Sequence, residues 1–356
     1  MAAKLKPIRM AIVGCGRAGY GMHTRELEAR GKMFQVVAAC DPLKERRENM
    51  EKLYGCKTYK TLEELLTDDE VEMVDIATRS PDHVPHTLMA LKAGKIVFLE
   101  KPIALSYQEA KKLLRATSKR PGKLFVRHNR RFEPTFQHIR ELIASGILGE
   151  VFEIKLRRGG YSRRGDWQTL LDCGGGQLLN WGPHIVDHAL RFLDGQVEDV
   201  WSNLRKIAAV GDAEDHVHII LKGGKSRFPC VVDLEISGGK AHKEPTYQVF
   251  GSKGSLSSDE QSIQLKYLDP KQKLPARRGK KGTPPLGGSF SGDETLCWIE
   301  KEIPVKPRKP CDTTDIWDHL YASIRKGKAF PITLEESLQV MEIISKARKG
   351  TVFDRF

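Results

Sequence analysis

Two residue patterns in this chain could do chemistry together. Gly14-Cys15-Gly16-Arg17-Ala18-Gly19 follows the apolar run Met10-Ala11-Ile12-Val13, and Glu100-Lys101-Pro102 follows Ile96-Val97-Phe98-Leu99. Glycine suits a tight turn at 14, close approach of backbone to a pyrophosphate at 16, and packing of helix on strand at 19. The helix opening there would offer amide donors and a partial positive charge to phosphate. Asp41 ends the next apolar run, 34–40, where a carboxylate accepts the ribose hydroxyls of NAD and repels a 2′-phosphate. NAD is therefore expected ahead of NADP, although Arg46 and Arg47 would suit the second cofactor as well as a solvated helix face. Lys101 brings an amine to the carboxyl end of another strand, the edge at which open α/β sheets bind ligands. A dinucleotide and an amine in one crevice point to nicotinamide chemistry.

Holding these residues requires strands alternating with helices, and the sequence up to residue 126 has room for five or six parallel strands. Thr61 with Glu64, Ser106 with Glu109 and Thr333 with Glu336 read as capping boxes at helix starts. After about residue 145 the pattern changes. Phe152, Ile154 and Leu156 alternate with Glu153, Lys155 and Arg157, and Cys230, Val232, Leu234 and Ile236 alternate around Asp233 and Glu235. Such strands bury one face of an antiparallel sheet, and 216–221 and 246–250 look like further members. The expected fold is α/β. A Rossmann dinucleotide-binding domain spans 1–125, and an α+β domain with an open, mainly antiparallel sheet spans 126–356, for substrate binding and oligomerisation. The open sheet predicts a homodimer or homotetramer through that face. The segment 269–312, rich in Lys, Pro and Gly, reads as a long loop. Helical periodicity returns with Ile316, Leu320 and Ile324, then with Leu334, Leu338, Met341 and Ile344.

The 356 residues carry a net charge of +13 and seven cysteines without a CxxC pair. Reduced, buried thiols in a cytoplasmic protein are the expectation. No run approaches the roughly 20 apolar residues of a membrane span. The basic stretch Arg277-Arg278-Gly279-Lys280-Lys281 lacks interleaved aromatics, so neither nucleic acid nor membrane is expected as a partner.

The glycine fingerprint is joined by Ala77-Thr78-Arg79-Ser80-Pro81-Asp82-His83 and by Ala93-Gly94-Lys95 leading to Glu100-Lys101-Pro102. Gly174-Gly175-Gly176 then runs on to Gly182-Pro183-His184-Ile185-Val186-Asp187. Together these motifs resemble the glucose-fructose oxidoreductase, inositol dehydrogenase and rhizopine-catabolism family, Gfo/Idh/MocA, over nearly the whole chain. The resemblance implies that Lys101 lies beside the nicotinamide and polarises the substrate oxygen, stabilising a developing alkoxide. It implies that His184 takes the hydroxyl proton, a task suited to a group titrating near working pH. It places Gly14, Gly16, Arg17, Ala18, Gly19, Asp41, Thr78, Pro81, His83, Glu100, Lys101 and Asn129 around the cofactor. The segment 127–132 would pass near it, with Asn129 and Arg131 as cleft residues; Arg127 and Arg130 read equally well as surface charge.

One position departs from the family. Asn180 stands where many members carry aspartate four residues before the histidine. Asparagine can orient a hydroxyl but cannot accept its proton, which argues against inositol as substrate and leaves the transfer to His184 or Lys101. Tyr161, Arg163, Arg164, Asp166 and Trp167 form either a platform for a sugar ring or a structural turn with an anchored tryptophan, and Asp187 lies close to His184. His184 and His188 have the spacing of a metal pair, but no third ligand is marked and no metal is expected. The function expected is NAD-dependent hydride transfer at a secondary alcohol or ketone of a sugar or sugar derivative. The alternatives are an NAD-retaining glycosidase that uses transient oxidation, and a non-enzymatic sugar-sensing regulator.

Overall fold

The chain first winds strands and helices alternately: β1 (Ile8–Val13), α1 (Thr24–Glu28), β2 (Phe34–Cys40), α2 (Lys44–Tyr54), β3 (Lys57–Tyr59), α3 (Leu62–Leu66), β4 (Met73–Ile76), α4 (His83–Lys92), β5 (Ile96–Glu100), α5 (Tyr107–Ser118) and β6 (Leu124–Arg127). This computed structural model describes residues 5–118, 121–224, 230–279, 281–282 and 294–356. Lys280 of the basic stretch, and 283–293 of the expected loop, lie outside them.

The first six strands pair in parallel in the order β3-β2-β1-β4-β5-β6. Helices on both faces leave β4 wholly buried, which is why its sequence, apolar apart from Asp75, does not alternate. Strand order reverses between β1 and β4, and a crevice opens at the carboxyl ends of these strands. The Thr61–Glu64 box forms in both directions. The Ser106 box is half formed: the Glu109 amide donates to Ser106 Oγ at 3.3 Å, but the Glu109 carboxylate takes the Leu105 amide at 2.9 Å.

The remaining elements are α6 (Pro134–Ala144), β7 (Val151–Gly159), α7 (Gln177–Asn180), α8 (Gly182–Phe192), β8 (Val197–Arg205), β9 (His216–Gly223), β10 (Cys230–Ser237), β11 (Tyr247–Gly251), β12 (Gly254–Ser258), β13 (Ser262–Leu268), β14 (Trp298–Pro304), α9 (Asp315–Lys326) and α10 (Leu334–Arg348). Their eight-stranded sheet runs β14-β13-β12-β11-β7-β10-β9-β8, antiparallel except for the parallel pair β7 and β10. Helices α8 and α10 cover one face, touching β10 and β8. The register aligns Trp201, Ile220, Asp233, Lys155, Gln248, Ser257, Gln264 and Glu302 across the uncovered face.

Three sequence expectations change here. The segment expected as a loop to residue 312 contains β14, an edge strand paired with β13. Its charges, Glu300, Lys301 and Glu302, hide the strand from a hydrophobicity reading and protect an exposed edge from pairing with other chains. Helix α9, expected with the second domain, returns to the first: Trp317 is fully buried with its ring 4.9 Å from Phe98 and 5.4 Å from Phe34. Of the seven cysteines, Cys297 is exposed and Cys173 half-buried; all seven are free.

Candidate active site

The glycine loop between β1 and α1 is built as the fingerprint requires. Gly14 has φ of +91°, and a Cβ there would fall 2.7 Å from the Ala77 carbonyl carbon. A Cβ at Gly19 would fall 2.2 Å from Gly14 O, so only hydrogen fits where the helix start closes on the loop. Arg17 at the loop tip is exposed, and Ala18 leads into the helical turn Gly19–His23, whose Tyr20 and Gly21 amides donate back to Gly16 O at 2.9 and 3.2 Å. Asp41 closes β2: its Oδ2 accepts the Cys15 amide at 2.9 Å and its Oδ1 the Leu43 amide at 2.9 Å. Arg46 Nη1 lies 3.4 Å from Asp41 Oδ2 and 3.4 Å from the Cβ position of Gly16. A strand, a glycine turn, a helix start and a carboxylate at the end of the neighbouring strand make a donor set that fits a dinucleotide. Bound there, NAD(P) would supply the hydride acceptor.

Thr78 and Pro81 follow β4 into the crevice. His83 is committed between them and the lysine loop, with Nδ1 2.6 Å from Pro102 O and Nε2 3.1 Å from Thr78 O. Burial lowers its pKa, and as a neutral ring it donates to one of these carbonyls while its other nitrogen faces the second, so both nitrogens are turned to the protein. Lys101 follows β5 and reaches across the crevice, where Nζ donates to the Asn180 carbonyl at 3.1 Å. It is the Asn180 main chain, not the side chain read from sequence, that meets the lysine. Burial pulls the Lys101 ammonium below its ordinary pKa, and the Glu100 carboxylate partly holds it up.

Beneath Lys101 is a charge cluster that sequence reading missed. Glu100 Oε1 accepts from His23 Nε2 at 3.0 Å and from Arg127 Nη1 at 2.8 Å, while its Oε2 accepts the Lys101 amide at 3.0 Å. His23 Nδ1 meets Asp75 Oδ2 at 2.6 Å, and Arg127 clasps Glu26, which also accepts Trp317 Nε1 at 2.6 Å. Arg127 is thus not surface charge: it is 1% exposed.

The second domain contributes the opposite wall. Gly174 has φ of +68°, and a Cβ on it would fall 2.7 Å from Leu105 of the first domain. A Cβ at Gly176 would fall 2.1 Å from Glu214 Oε1, the atom that accepts the Leu178 amide at 3.0 Å and holds α7. His184 sits in the first turn of α8, 6% exposed, with Nδ1 unpartnered among the described residues. Burial, then the charge of Lys101, lowers its pKa well below the ordinary value, which keeps the ring neutral and moves it away from the titration near working pH expected from sequence.

Asp187 and Arg131 are brought together, but on each other. Arg131 donates to the two Asp187 oxygens at 2.9 and 2.5 Å, and to Glu336 at 2.6 Å. Their hydrogen-bonding capacity clamps α8 to α10 and leaves little for substrate. His188 is a core residue, stacked on Phe136 at 3.8 Å, with Nε2 2.9 Å from Arg130 O and Nδ1 3.2 Å from Tyr247 Oη. No metal-binding cluster occurs among the described residues.

The remaining residues named from sequence differ in exposure. Asp166 caps the turn at 167–169 and pairs with Arg164 at 2.6 Å; Trp167 lies 5.7 Å from the Arg79 guanidinium, and Tyr161 is 64% exposed. Arg163 is exposed and Asn129 buried. The residue passed over within 127–132 is His128, which is 2% exposed and has both ring nitrogens unpartnered among the described residues. In sequence it is one ring in a basic run; in the fold it follows the end of β6, among Asp187, Arg131 and Glu336.

Residues 8–128 match the family model described as an oxidoreductase family with an NAD-binding Rossmann fold, and 136–257 match the Gfo/Idh/MocA C-terminal domain. The chain is 26% identical to scyllo-inositol 2-dehydrogenase (NADP(+)) of Bacillus subtilis, over 98% of this chain and 95% of that one. It is also 26% identical to trans-1,2-dihydrobenzene-1,2-diol dehydrogenase of Mus musculus, over 96% of each. Among solved structures, an NAD-binding protein from Listeria innocua matches with a TM-score of 0.80 at 25% identity, covering 99% of both chains.

Proposed function

The chain belongs to the Gfo/Idh/MocA oxidoreductase family and is an NAD(P)-dependent oxidoreductase; from that premise we propose that it oxidises a secondary hydroxyl of a sugar-like polyol, or reduces the corresponding ketone. The observation that carries this reading is the position of Lys101 and His184 on facing walls of a crevice headed by the glycine loop. In the direction of oxidation, Lys101 donates a hydrogen bond to the reacting oxygen and stabilises negative charge as the hydroxyl proton leaves. His184, held neutral, accepts that proton. The triple-glycine loop, packed against Leu105 and Pro81, limits access of water from the second domain's side. Relatives named for inositol and for a dihydrodiol support a ring carbon bearing hydroxyl as the substrate centre.

Arg46 bears on the choice of cofactor. Its guanidinium offsets the Asp41 charge that would repel a 2′-phosphate, so the site takes NADP as well as NAD. The experiment is the absorbance of reduced cofactor as ring polyols and sugars are added to enzyme with NAD, then with NADP. Reduction of both cofactors is expected. No reduction with any polyol or sugar would sink the dehydrogenase reading, and sugar release without net reduction would move the assignment to glycoside cleavage. The uncovered face of the second sheet, where Trp201 is 50% exposed, is read as the contact between copies; a monomer in light scattering would refute that.

A further inference from the structure

One buried carboxylate stands outside the reaction assigned above. Glu214, on the connection between β8 and β9, is 4% exposed and supplies two acceptors to the start of α7: its main-chain O takes the Gln177 amide at 3.0 Å, and its Oε1 the Leu178 amide at 3.0 Å. The carboxylate fills the space that a Cβ on Gly176 would need, and Gly176 has φ of +106°. At the other end of this four-residue helix the Asn180 carbonyl meets Lys101 Nζ at 3.1 Å, and Trp181 lies edge-on to His184 with ring centroids 5.9 Å apart. A single turn of helix, with a pitch of about 5.4 Å, thus joins the Glu214 carboxylate to the carbonyl that the lysine meets.

The cation acting on Glu214 is Arg348 of α10, which donates to the Leu105 carbonyl at 2.8 Å and lies 3.9 Å from Asp354. Asp215 beside it adds a like charge and is itself engaged by the Ile207, Ala208 and Ala209 amides at 2.6, 2.8 and 2.7 Å. Helix α7 carries no charged residue. Burial therefore dominates and pushes the Glu214 carboxyl up to about 7. A charge-assisted hydrogen bond is roughly twice as strong as a neutral one, so the Leu178 amide is held harder when the carboxyl is ionised. We infer that Glu214 is a positioning residue: its carboxylate fixes the first turn of α7 and so sets where the Asn180 carbonyl meets Lys101, and its protonation loosens that hold and slows hydride transfer. The effect on rate rests on the hydride-transfer reading above; the hold on α7 is tested without it.

In the cofactor-free protein the readout is the Leu178 amide resonance, selected by combining ¹³C-glutamine with ¹⁵N-leucine, a pair that otherwise occurs at Gln264–Leu265. In wild type it is expected to shift with a midpoint near 7. In Glu214→Gln, whose amide oxygen still accepts but never ionises, it should stay in place. For the rate, kcat and KM are measured from pH 5 to 9 with scyllo-inositol and trans-cyclohexane-1,2-diol as probes and NADP as oxidant. Lys101 and His184 are present in both proteins, so the Glu214 part is read as the difference between them. Wild-type kcat should fall about fivefold from pH 8 to 6, the difference between a charged and a neutral hydrogen bond, with KM little changed. The fall should be absent in Glu214→Gln. A Leu178 amide that ignores pH in wild type, a result that holds even where Glu214→Gln folds poorly, overturns the proposal. So does the same fall in kcat persisting in Glu214→Gln, which would make the residue merely structural; both leave the hydride-transfer reading intact. A Leu178 amide that titrates near 7 while no probe reduces cofactor would instead retain the hold of Glu214 on α7 and remove the hydride-transfer reading.

Discussion

Two polar clusters are buried within a residue of each other at the carboxyl edge of the first sheet, and they are built on opposite principles. Below Glu100, each charge faces an opposite one: His23 with Asp75 and Glu100, and Arg127 with Glu100 and Glu26; among the described residues Asp75 Oδ1 and Arg127 Nε are left without partners. Beyond Lys101, His128 and His184 keep three ring nitrogens without partners among the described residues, and the lysine donates to a carbonyl. Buried charge is tolerated when paired and well hydrogen-bonded, and such pairing fixes geometry. Buried groups left unpaired are available to a ligand. The lower cluster is thus a foundation that aims β5, and the upper one holds the residues to which the proposed reaction is assigned.

The sharpest way to break this contrast is to remove one cation from each side. Lys101→Ala should lower the hydride-transfer rate by a factor on the order of 10² to 10⁴ and leave urea unfolding nearly unchanged, since its Nζ gives up one hydrogen bond to a carbonyl. Arg127→Met should do the reverse in kind, destabilising the fold by about 3–5 kcal/mol, because Glu26 and Glu100 would be left buried without their counter-charge. Rate measurements with unfolding curves on both variants decide the matter. If Lys101→Ala proved as destabilising as Arg127→Met, the two clusters would be one structural unit and the division would collapse.

The division also marks how far the sequence could be read. Local rules carried the glycine loop, Asp41 at the end of β2 and the Thr61 and Thr333 boxes, because each depends on residues a few positions apart. The change from apolar runs to alternation separated a sheet buried on both faces from one covered on a single face. The foundation was not legible: His23, Asp75, Glu100, Arg127 and Trp317 come from five elements or turns, and nothing in amphipathic spacing tells α9 which sheet to pack on. His128 was hidden for the same reason. Asp187 and Arg131 were legible as residues near the site, but not as partners of each other, since only tertiary packing brings α8 against the turn after β6.

A gentler way to sharpen the contrast is pH, because the two clusters push a histidine in opposite directions. Burial opposes charge on His23, but the Asp75 and Glu100 carboxylates outweigh it and raise the pKa to about 9. Burial dominates at His128, with Asp187 pulling the other way, and lowers the pKa to about 4. A raised folded pKa gives stability that is present in full below the unfolded value near 6.5 and is lost as pH rises toward 9. A lowered one on a histidine gives a contribution present above 6.5 and lost as pH falls toward 4, because the unfolded ring then takes up a proton that the folded one refuses. Each shift corresponds to about 3 kcal/mol over its window. Glu214, which burial pushes up to about 7, loses its contribution as pH rises from 4.5 to 7 and overlaps the His128 window. The His128 part is therefore read as the difference between wild type and His128→Phe, in urea unfolding from pH 4 to 9. Relative to the variant, the wild type should lose about 3 kcal/mol between pH 6.5 and 4. Ring C–H resonances should show His23 titrating near 9. A flat difference curve would mean that His128 is charged or solvated in the folded protein. A His23 midpoint near 6.5 would mean that the foundation is held by something other than its carboxylates, and the opposition between the two clusters would then reduce to depth of burial alone.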